Sequence, residues 1–551
     1  MTTASPITDP SDGSLHLARG LLATLRRCRP PRQDSPHLDA VVIALIEALA
    51  RGDCHDGFAA APLDAVQRSG WLDGADAPLM RDGTRLAFRR WQQSLDQVVD
   101  ALLLRGSAGS GSPVDPRLLK GLNQEQIAAV EAIGRHRVVL ISGGPGTGKT
   151  STVVRMLAHA LCESGERRIG LAAPTGKAAA RLKESVRAGL SQLPETLQAP
   201  LLDLPCATLH RWLQARTDGY RRNRHHPLPL DLLVVDELSM VDLALGTALL
   251  DALPPAAQLI LVGDAAQLPP IGVGAIWAHL QQPAQRQRFG TAAVELHQVY
   301  RNRGALARLS TVLQQGGVEA FWSAADRCAV GADRFLTDPE HNLLVLQAGQ
   351  RTIPPVVIET LQEHLQQLRR ALTDLDRHGA AGDNIDPRLA AAALERLDNL
   401  QVLCPRRRGP WGVEAVHRAL LPPGGVLQWP IGVPVLCAEN QDELGLANGD
   451  RGLTVGMGTR RRLLFRCVDA EGEPQLRRLH PARLKRLEPA LALTVHKAQG
   501  SEADRVLVLW PDRLEDDAAL LYTAVTRARR HLLLLTARDP GNLGQRDAVL
   551  T

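Results

Sequence analysis

Residues 137–162 read RVVLISGGPGTGKTSTVVRMLAHALC, and the reading of this stretch decides the fold. Val138 to Ser142 have the composition of a short buried strand. The octapeptide GGPGTGKT follows at once: Gly143, Gly144, Pro145, Gly146, Thr147, Gly148, Lys149 and Thr150. An apolar helical pattern opens at Ser151. A glycine, four residues, then Gly-Lys-Thr is the spacing of a phosphate-binding P-loop between strand and helix. Its glycines let the backbone wrap round a triphosphate with successive N–H groups pointing inward. The helix behind them presents unpaired N–H groups and a positive dipole end to the same anion. Lys149 can then neutralise the β and γ phosphates, and Thr150 can offer its hydroxyl to magnesium. A glycine turn without a ligand would not need strand, loop and helix in this order. The segment is expected to bind a nucleoside triphosphate.

A chain of 551 residues should hold several domains. Hydrophobic content of 44% and charged content of 22% are ordinary for a globular protein. The net charge of +5 permits a nucleic-acid partner without requiring one. Aromatic residues make up 3%, so stacking on bases must rest on few side chains. The eight cysteines form no C-x-x-C pair, which argues against zinc, iron–sulfur and disulfide frameworks. The apolar run Leu38 to Ala50 is interrupted by Asp39 and Glu47 and cannot span a bilayer. With polar opening residues and no signal peptide, a cytoplasmic, reduced protein is expected.

Residues 1 to about 35, rich in Pro, Ser, Thr and Asp, predict partial disorder. Ser35-Pro36 then starts a helix, apolar nearly all round, and further helices follow to Leu104. Residues 105–116, RGSAGSGSPVDP, read as a linker. Residues 1–115 are thus expected to be a helical docking domain plus linker. The helix carrying Leu38, Val41, Val42, Leu45, Ile46 and Leu49 would need an internal core or another protein to cover it.

LNQEQ, 122–126, opens the helix before the P-loop strand. Gln126 there can either reach an adenine edge or stand as a solvated helix residue. A second strand, Ile169–Ala173, ends in Pro-Thr-Gly-Lys, where Thr175 and Lys177 suit a backbone phosphate. His210 in ATLHRWL is a core histidine or a DNA contact. YRRNRHHPLPL, 220–230, is a small hairpin or a solvated basic loop. The strand of DLLVVDELSMVD, 231–242, ends in two acids: Asp236 can hold magnesium through water, and Glu237 can orient or deprotonate the attacking water. A fourth strand, Gln258–Val262, ends in GDAAQLPP, where Gln267 faces the same cleft because parallel strands end on one sheet edge. Arg301 in ELHQVYRNR reaches the triphosphate or forms a surface salt bridge.

From about residue 311 strand-like runs recur at 343–346, 400–404, 491–494, 506–510 and 532–536, so a second α/β lobe is expected over 311–551. Residues 426–487 change to short strands and turns, read as a small β-barrel-like insertion. Arg527 in LLYTAVTRAR lies in a helix that could reach a γ-phosphate, or forms part of a basic helix face.

The ordered set LNQEQ, GGPGTGKT, APTGKAAARL, VVDELSMVD, VGDAAQLPP, ELHQVYRN, LTVHKAQGSEAD and YTAVTRAR resembles the motifs of the superfamily 1 DNA helicases, across residues 122 to 529. DELSMVD, GDAAQLPP, HKAQGSE and LYTAVTRAR are most similar to the RecD family, the α subunits of exodeoxyribonuclease V (RecBCD). The resemblance implies an ATP- and Mg2+-dependent 5′→3′ translocase with two RecA-like P-loop lobes, the first over 116–310 with a pin hairpin near 216–230, and an SH3-like insertion in the second. It also implies single-stranded DNA at duplex ends, RecB-like and RecC-like partner subunits, and nuclease activity located in a partner. By position, Gln126 would contact adenine; Gly143 to Ser151 would cradle the phosphates, with Thr150 and Asp236 on magnesium. Lys149, Asp236, Glu237, Gln267, Arg301 and Arg527 would serve hydrolysis. Thr175, Lys177, His210, Thr494 and His496 would lie near DNA. Ala498 and Ala503 depart from residues common at those motif positions, which touches the DNA side only. Free-standing RecD-like helicases and a non-catalytic P-loop module are the competing readings. The short N-terminal region and the intact motif residues speak against them.

Overall fold

The computed structural model of the chain describes residues 12–50, 52–106, 111, 113–164, 167–216, 218–300, 305–329, 342–349, 352–378, 386–457, 460–468, 474–511 and 517–537. Two compact units divide the chain. Residues 1–143, 149–174 and 182–296 form the first; 144–148, 175–181 and 297–551 form the second.

The first unit begins with a helix, Asp12–Cys28, where composition predicts partial disorder. Ala18 and Leu22 are buried, with Leu21 and Leu25 packed against the same core. Three- and four-residue apolar spacing, not the polar content around it, decides the structure here. Helix Pro36–Ala50 starts where Ser35-Pro36 predicts. Leu38, Val41, Val42, Leu45, Ile46 and Leu49 on it are all 5% exposed or less. Their cover comes from within the chain: Leu63, Val66, Trp71, Leu79 and Leu86 belong to the same core. Nor is this region purely helical. β1 (His55–Gly57), β2 (Leu79–Asp82) and β3 (Arg85–Phe88) make an antiparallel sheet in the order β1-β3-β2. Asp82 pairs with Arg85 across a two-residue turn led by Gly83 at φ 58°, a hairpin signal legible in RDGTR.

Of the linker expected at 105–116, residues 107–110 and 112 lie outside the described residues, and the stretch does not set the N-terminal region apart. Helix Arg89–Leu103 buries Leu95, Val98, Val99 and Leu102 and packs on helices Leu243–Ala252, Ile276–Leu280 and Pro283–Phe289. Asp100 pairs with Arg288 at 2.7 Å, and Asp96 lies 3.7 Å from His279. Arg105 donates to the carbonyls of Leu253 and Pro254 at 3.0 and 2.8 Å, a cation at the C-terminal end of helix Leu243–Ala252. Deleting residues 1–110 is therefore expected to leave an aggregating chain rather than an independent motor. Each apolar side chain that loses cover forfeits about 1.5–3 kcal/mol, against a total stability of about 5–15 kcal/mol. Soluble yield and thermal unfolding of the truncated chain measure this; a soluble product with the parental melting temperature would refute it.

The P-loop strand belongs to a six-stranded sheet. β4 (Val138–Gly143), β5 (Ile169–Ala173), β6 (Cys206–Thr208), β9 (Leu232–Val235), β10 (Gln258–Gly263) and β11 (Ala293–Leu296) lie in the order β11-β4-β10-β9-β5-β6. Every neighbouring pair is parallel. That is why β4, β9 and β10 read as unbroken Val/Ile/Leu runs: both faces of a parallel sheet are covered. Between β6 and β9, β7 (Ala215–Arg216) and β8 (Gly219–Tyr220) form a two-stranded antiparallel pair. This pair overlaps only the start of 216–230, the range in which a pin hairpin is expected. The basic residues beyond it turn through an isolated bridge between Asn223 and His226.

The second unit repeats the parallel arrangement. β12 (Leu343–Ala348), β13 (Leu400–Cys404), β19 (Leu493–Thr494), β20 (Ala503–Trp510) and β21 (Ala528–Ala537) lie in the order β12-β21-β20-β13-β19, again all parallel. Between β13 and β19 sit β14 (Pro434–Cys437), β15 (Arg451–Val455), β16 (Arg462–Val468), β17 (Pro474–Leu479) and β18 (Leu487–Pro489). They form a separate antiparallel sheet, β17-β16-β15-β14-β18. Val435, Leu463, Phe465 and Leu479 close its apolar side.

Candidate nucleotide-binding site

Three strand ends build the site. β10 lies between β4 and β9, with Gly263 opposite Ser142 and Leu261 opposite Val235. The loops leaving these strands therefore emerge together on one sheet edge: the P-loop after β4, Asp236-Glu237 after β9, and Asp264 to Gln267 after β10. Gly146 and Gly148 hold φ at 77° and 83°, where a side chain would be strained. A Cβ on Gly144 would come within 3.0 Å of the Tyr522 hydroxyl. The loop thus keeps a bare backbone cradle, the shape a polyphosphate needs. Helix Lys149–Ser164 starts at the lysine itself, two residues before the expected opening. Lys149 Nζ donates to the Gly143 carbonyl at 2.6 Å, and Thr147 Oγ1 donates to the Gly144 carbonyl at 2.9 Å.

The acids are shaped by backbone as well as by sequence. Glu237 has φ 53° and ψ 43°, one of only two non-glycine residues with positive φ among the described residues. A left-handed conformation costs a non-glycine residue about 1–2 kcal/mol. It turns the chain sharply at the strand tip, and Asp236 Oδ1 accepts the Glu237 N–H at 2.8 Å within that turn. Both carboxylate residues are partly exposed. Gln267 is 7% exposed; its Nε2 donates to Asp264 Oδ2 at 3.2 Å, while its Oε1 is buried without a hydrogen-bond partner. A buried acceptor left open beside the P-loop strand is the kind of group a ligand or its bound water would satisfy.

The remaining candidates distribute as follows. Gln126 is buried, and its Oε1 accepts the Asn123 N–H at 3.1 Å in a capping box, so this side chain helps start its own helix. Arg301 lies outside the described residues. Arg527 does not lie in a helix: helix Ala518–Val525 ends before it. Its guanidinium is 1% exposed and donates to the carbonyls of Thr523 at 3.1 Å and Ser501 at 3.2 Å. Thr175 caps its helix by accepting the Ala178 N–H at 3.2 Å. Lys177 is tied into an ion pair, 3.6 Å from Asp398, rather than standing as a free surface cation. Burial pulls its ammonium down to about 8 against the opposing attraction of Asp398. The His210 ring packs 6.2 Å from Tyr220 beside the short hairpin and is only partly buried, so it is not a core histidine. Thr494 Oγ1 accepts the Lys497 N–H at 3.3 Å, and His496 is exposed.

Sequence reasoning missed several supporting residues. Asp264 orients Gln267, and the fixed spacing GDAAQ carried that signal. Glu502, in the QGSEAD stretch, accepts from both Arg181 and Arg529. Tyr522 receives a hydrogen bond from Gln314 at 3.0 Å, which no local pattern announces.

Residues 126–273 match the AAA domain family, and residues 489–535 match the UvrD-like helicase C-terminal domain. A RecBCD enzyme subunit RecD from Mycolicibacterium smegmatis is 34% identical, over 83% of this chain and 78% of that protein. Its counterpart from Mycobacterium tuberculosis is 33% identical, over 95% of this chain and 90% of that protein. An ATP-dependent RecD2 DNA helicase from Deinococcus radiodurans is 32% identical over 80% of this chain, which spans 53% of that protein. With phosphate loop, paired acids and glutamine gathered on one sheet edge, and identity of this order along most of both mycobacterial proteins, the chain belongs to the RecD family of ATP-dependent DNA helicases.

Proposed function

We propose that this helicase is the 5′→3′ translocase subunit of a RecBCD-type heterotrimer with RecB-like and RecC-like partners. It acts in the cytoplasm on single strands at duplex ends, in recombinational repair of double-strand breaks and in degradation of linear DNA. Nuclease chemistry belongs to a partner subunit. Among the described residues no helix is long and apolar enough to cross a membrane. The observation that carries ATP hydrolysis is the shared edge of β4, β10 and β9. The two parallel sheets support reading the units as RecA-like lobes, and the antiparallel insertion supports reading it as SH3-like.

In this reading the bare glycine backbone and Lys149 bind the triphosphate, and Thr150 and Asp236 would hold Mg2+, whose charge offsets that of the phosphate oxygens. Glu237 orients the attacking water and takes its proton. Gln267, its Oε1 open, sits where the γ-phosphate is sensed. Arg301 and Arg527 couple that phosphate to movement, which for Arg527 requires release from the Thr523 and Ser501 carbonyls. Thr175, Thr494 and His496 are the proposed DNA-side contacts. Docking of the N-terminal region on a RecC-like subunit rests on likeness to RecD proteins. The internally covered helix Pro36–Ala50 gives it no further support.

Polarity is the decisive test. A duplex with a 5′ single-stranded tail should be unwound in ATP and Mg2+, and one with only a 3′ tail should not. The opposite pattern would reject the proposed direction.

A further inference from the structure

The end of helix Pro36–Ala50 meets the loop that carries Gln267. Gly52 closes that helix with its N–H on the Leu49 carbonyl at 3.0 Å and φ at 87°. Its own carbonyl accepts the Ala275 N–H at 2.9 Å. A Cβ on Gly52 would lie 2.8 Å from the Pro270 carbonyl oxygen and 2.9 Å from Pro269 Cβ. The turn therefore packs closely against the two prolines, and a side chain at residue 52 would collide with them.

The loop depends on that contact. At its start Asp264 holds Ala266 N and Gln267 Nε2, at 3.1 and 3.2 Å. At its far end Val273 accepts the Leu243 N–H at 3.1 Å, and Gly272 is crowded by Asp242, where a Cβ would meet Oδ2. Between these anchors stand Pro269 and Pro270, which have no N–H and cannot tie the loop by donating a hydrogen bond. Close packing helps to place them, and the Gly52 turn supplies one side of it. Gln267 is two residues before Pro269, too close in sequence for a shift of the prolines to leave its open Oε1 in place.

We propose that Gly52 is a positioning residue for Gln267, acting through Pro269 and Pro270, so that the N-terminal region sets the rate of ATP turnover. The proposal rests on reading Gln267 as the γ-phosphate-sensing side chain. It makes the N-terminal region part of the motor's timing rather than a passive docking module, since whatever binds and stiffens that region also stiffens the loop.

The test uses the full chain and its ATPase stimulated by single-stranded DNA. Gly52→Ala should lower kcat about tenfold or more, because a displacement of about an ångström at a reacting centre has effects of this order. KM for ATP should stay within about twofold, the mark of an interaction made in the transition state rather than the ground state. Gly74→Ala is the control: Gly74 also has positive φ, at 84°, but its nearest neighbour to a new Cβ is Arg29 Nη2 at 3.9 Å. It carries similar strain without pressing on the loop and should keep the parental kcat. Pro269→Gly, which removes the ring from the other side and leaves residue 52 unstrained, should lower kcat in the same way and decides the matter if Gly52→Ala does not fold. Gly52→Ala added to Gln267→Ala should cost nothing further. Parental kcat in Gly52→Ala or Pro269→Gly, an equal loss in Gly74→Ala, or additive losses in the double variant would overturn the proposal. A Gln267→Ala chain with parental ATPase would instead overturn the reading of Gln267 itself.

Discussion

Lys149→Gln lowers DNA-stimulated ATP hydrolysis by at least about a hundredfold, the usual scale for losing one preorganised group that stabilises developing charge. Melting temperature stays at the parental value. Both halves of this expectation come from the geometry. Lys149 stands at the first turn of its helix, partly exposed, with Nζ on the Gly143 carbonyl at 2.6 Å. A glutamine amide can still donate to a carbonyl in that place, so the loop keeps its internal support, and substitutions at such exposed positions usually change stability by about 0.5 kcal/mol or less. What glutamine lacks is positive charge toward the phosphates. Steady-state hydrolysis and a thermal melt on the same preparation measure the two halves. A variant hydrolysing ATP at the parental rate would remove the P-loop from the mechanism.

Glu237→Gln is expected to keep ATP binding and to lose turnover by about 10²–10⁴-fold, the contribution of a positioned general base. Glutamine has the same shape and the same left-handed backbone to maintain at φ 53°, so stability should not change. Glu237→Gly separates the two properties further. Glycine adopts that conformation freely, and the chain should gain about 1 kcal/mol while losing turnover as fully. A more stable but inactive variant would show that the strain at this strand tip serves the placement of the carboxylate. If Glu237→Gln instead fails to bind ATP in an equilibrium titration, the residue supports the loop and is not the base.

Most of this site was legible because parallel strands carry their chemistry at their ends. Once Val138–Ser142, Leu232–Val235 and Gln258–Val262 are read as strands of one sheet, Lys149, Asp236 and Gln267 are expected at one edge; in the register Gly263 stands opposite Ser142 and Leu261 opposite Val235. Other features were misread where long-range packing overrides local pattern. TRARR looks helical, yet Ala528 to Arg530 open β21, held between β20 and β12, and Arg527 falls in the turn before it. The polar composition of residues 1–35 hid the spacing of Ala18, Leu21, Leu22 and Leu25. The Gly/Ser stretch after Arg105 suggested a tether, and nothing local records that helix Arg89–Leu103 packs on helices some 150 residues later. Gly52 looks like an ordinary helix stop; its contact with Pro269 and Pro270 exists only in the folded chain.

The antiparallel insertion bears on how the second sheet can assemble. β13 must find β19 across a gap that runs from Cys404 to Leu493, and a flexible loop of that length would resist closure. Yet the first and last strands of the insertion, β14 and β18, pair with each other, Val435 opposite Pro489. Once that small sheet has formed, its entry and exit points stand side by side, and the effective gap shrinks to the flanking residues 405–433 and 490–492. Pairing of β13 with β19 is thereby uncoupled from the number of residues held inside. Evolution could lengthen, shorten or exchange the module there without slowing formation of the sheet that receives it.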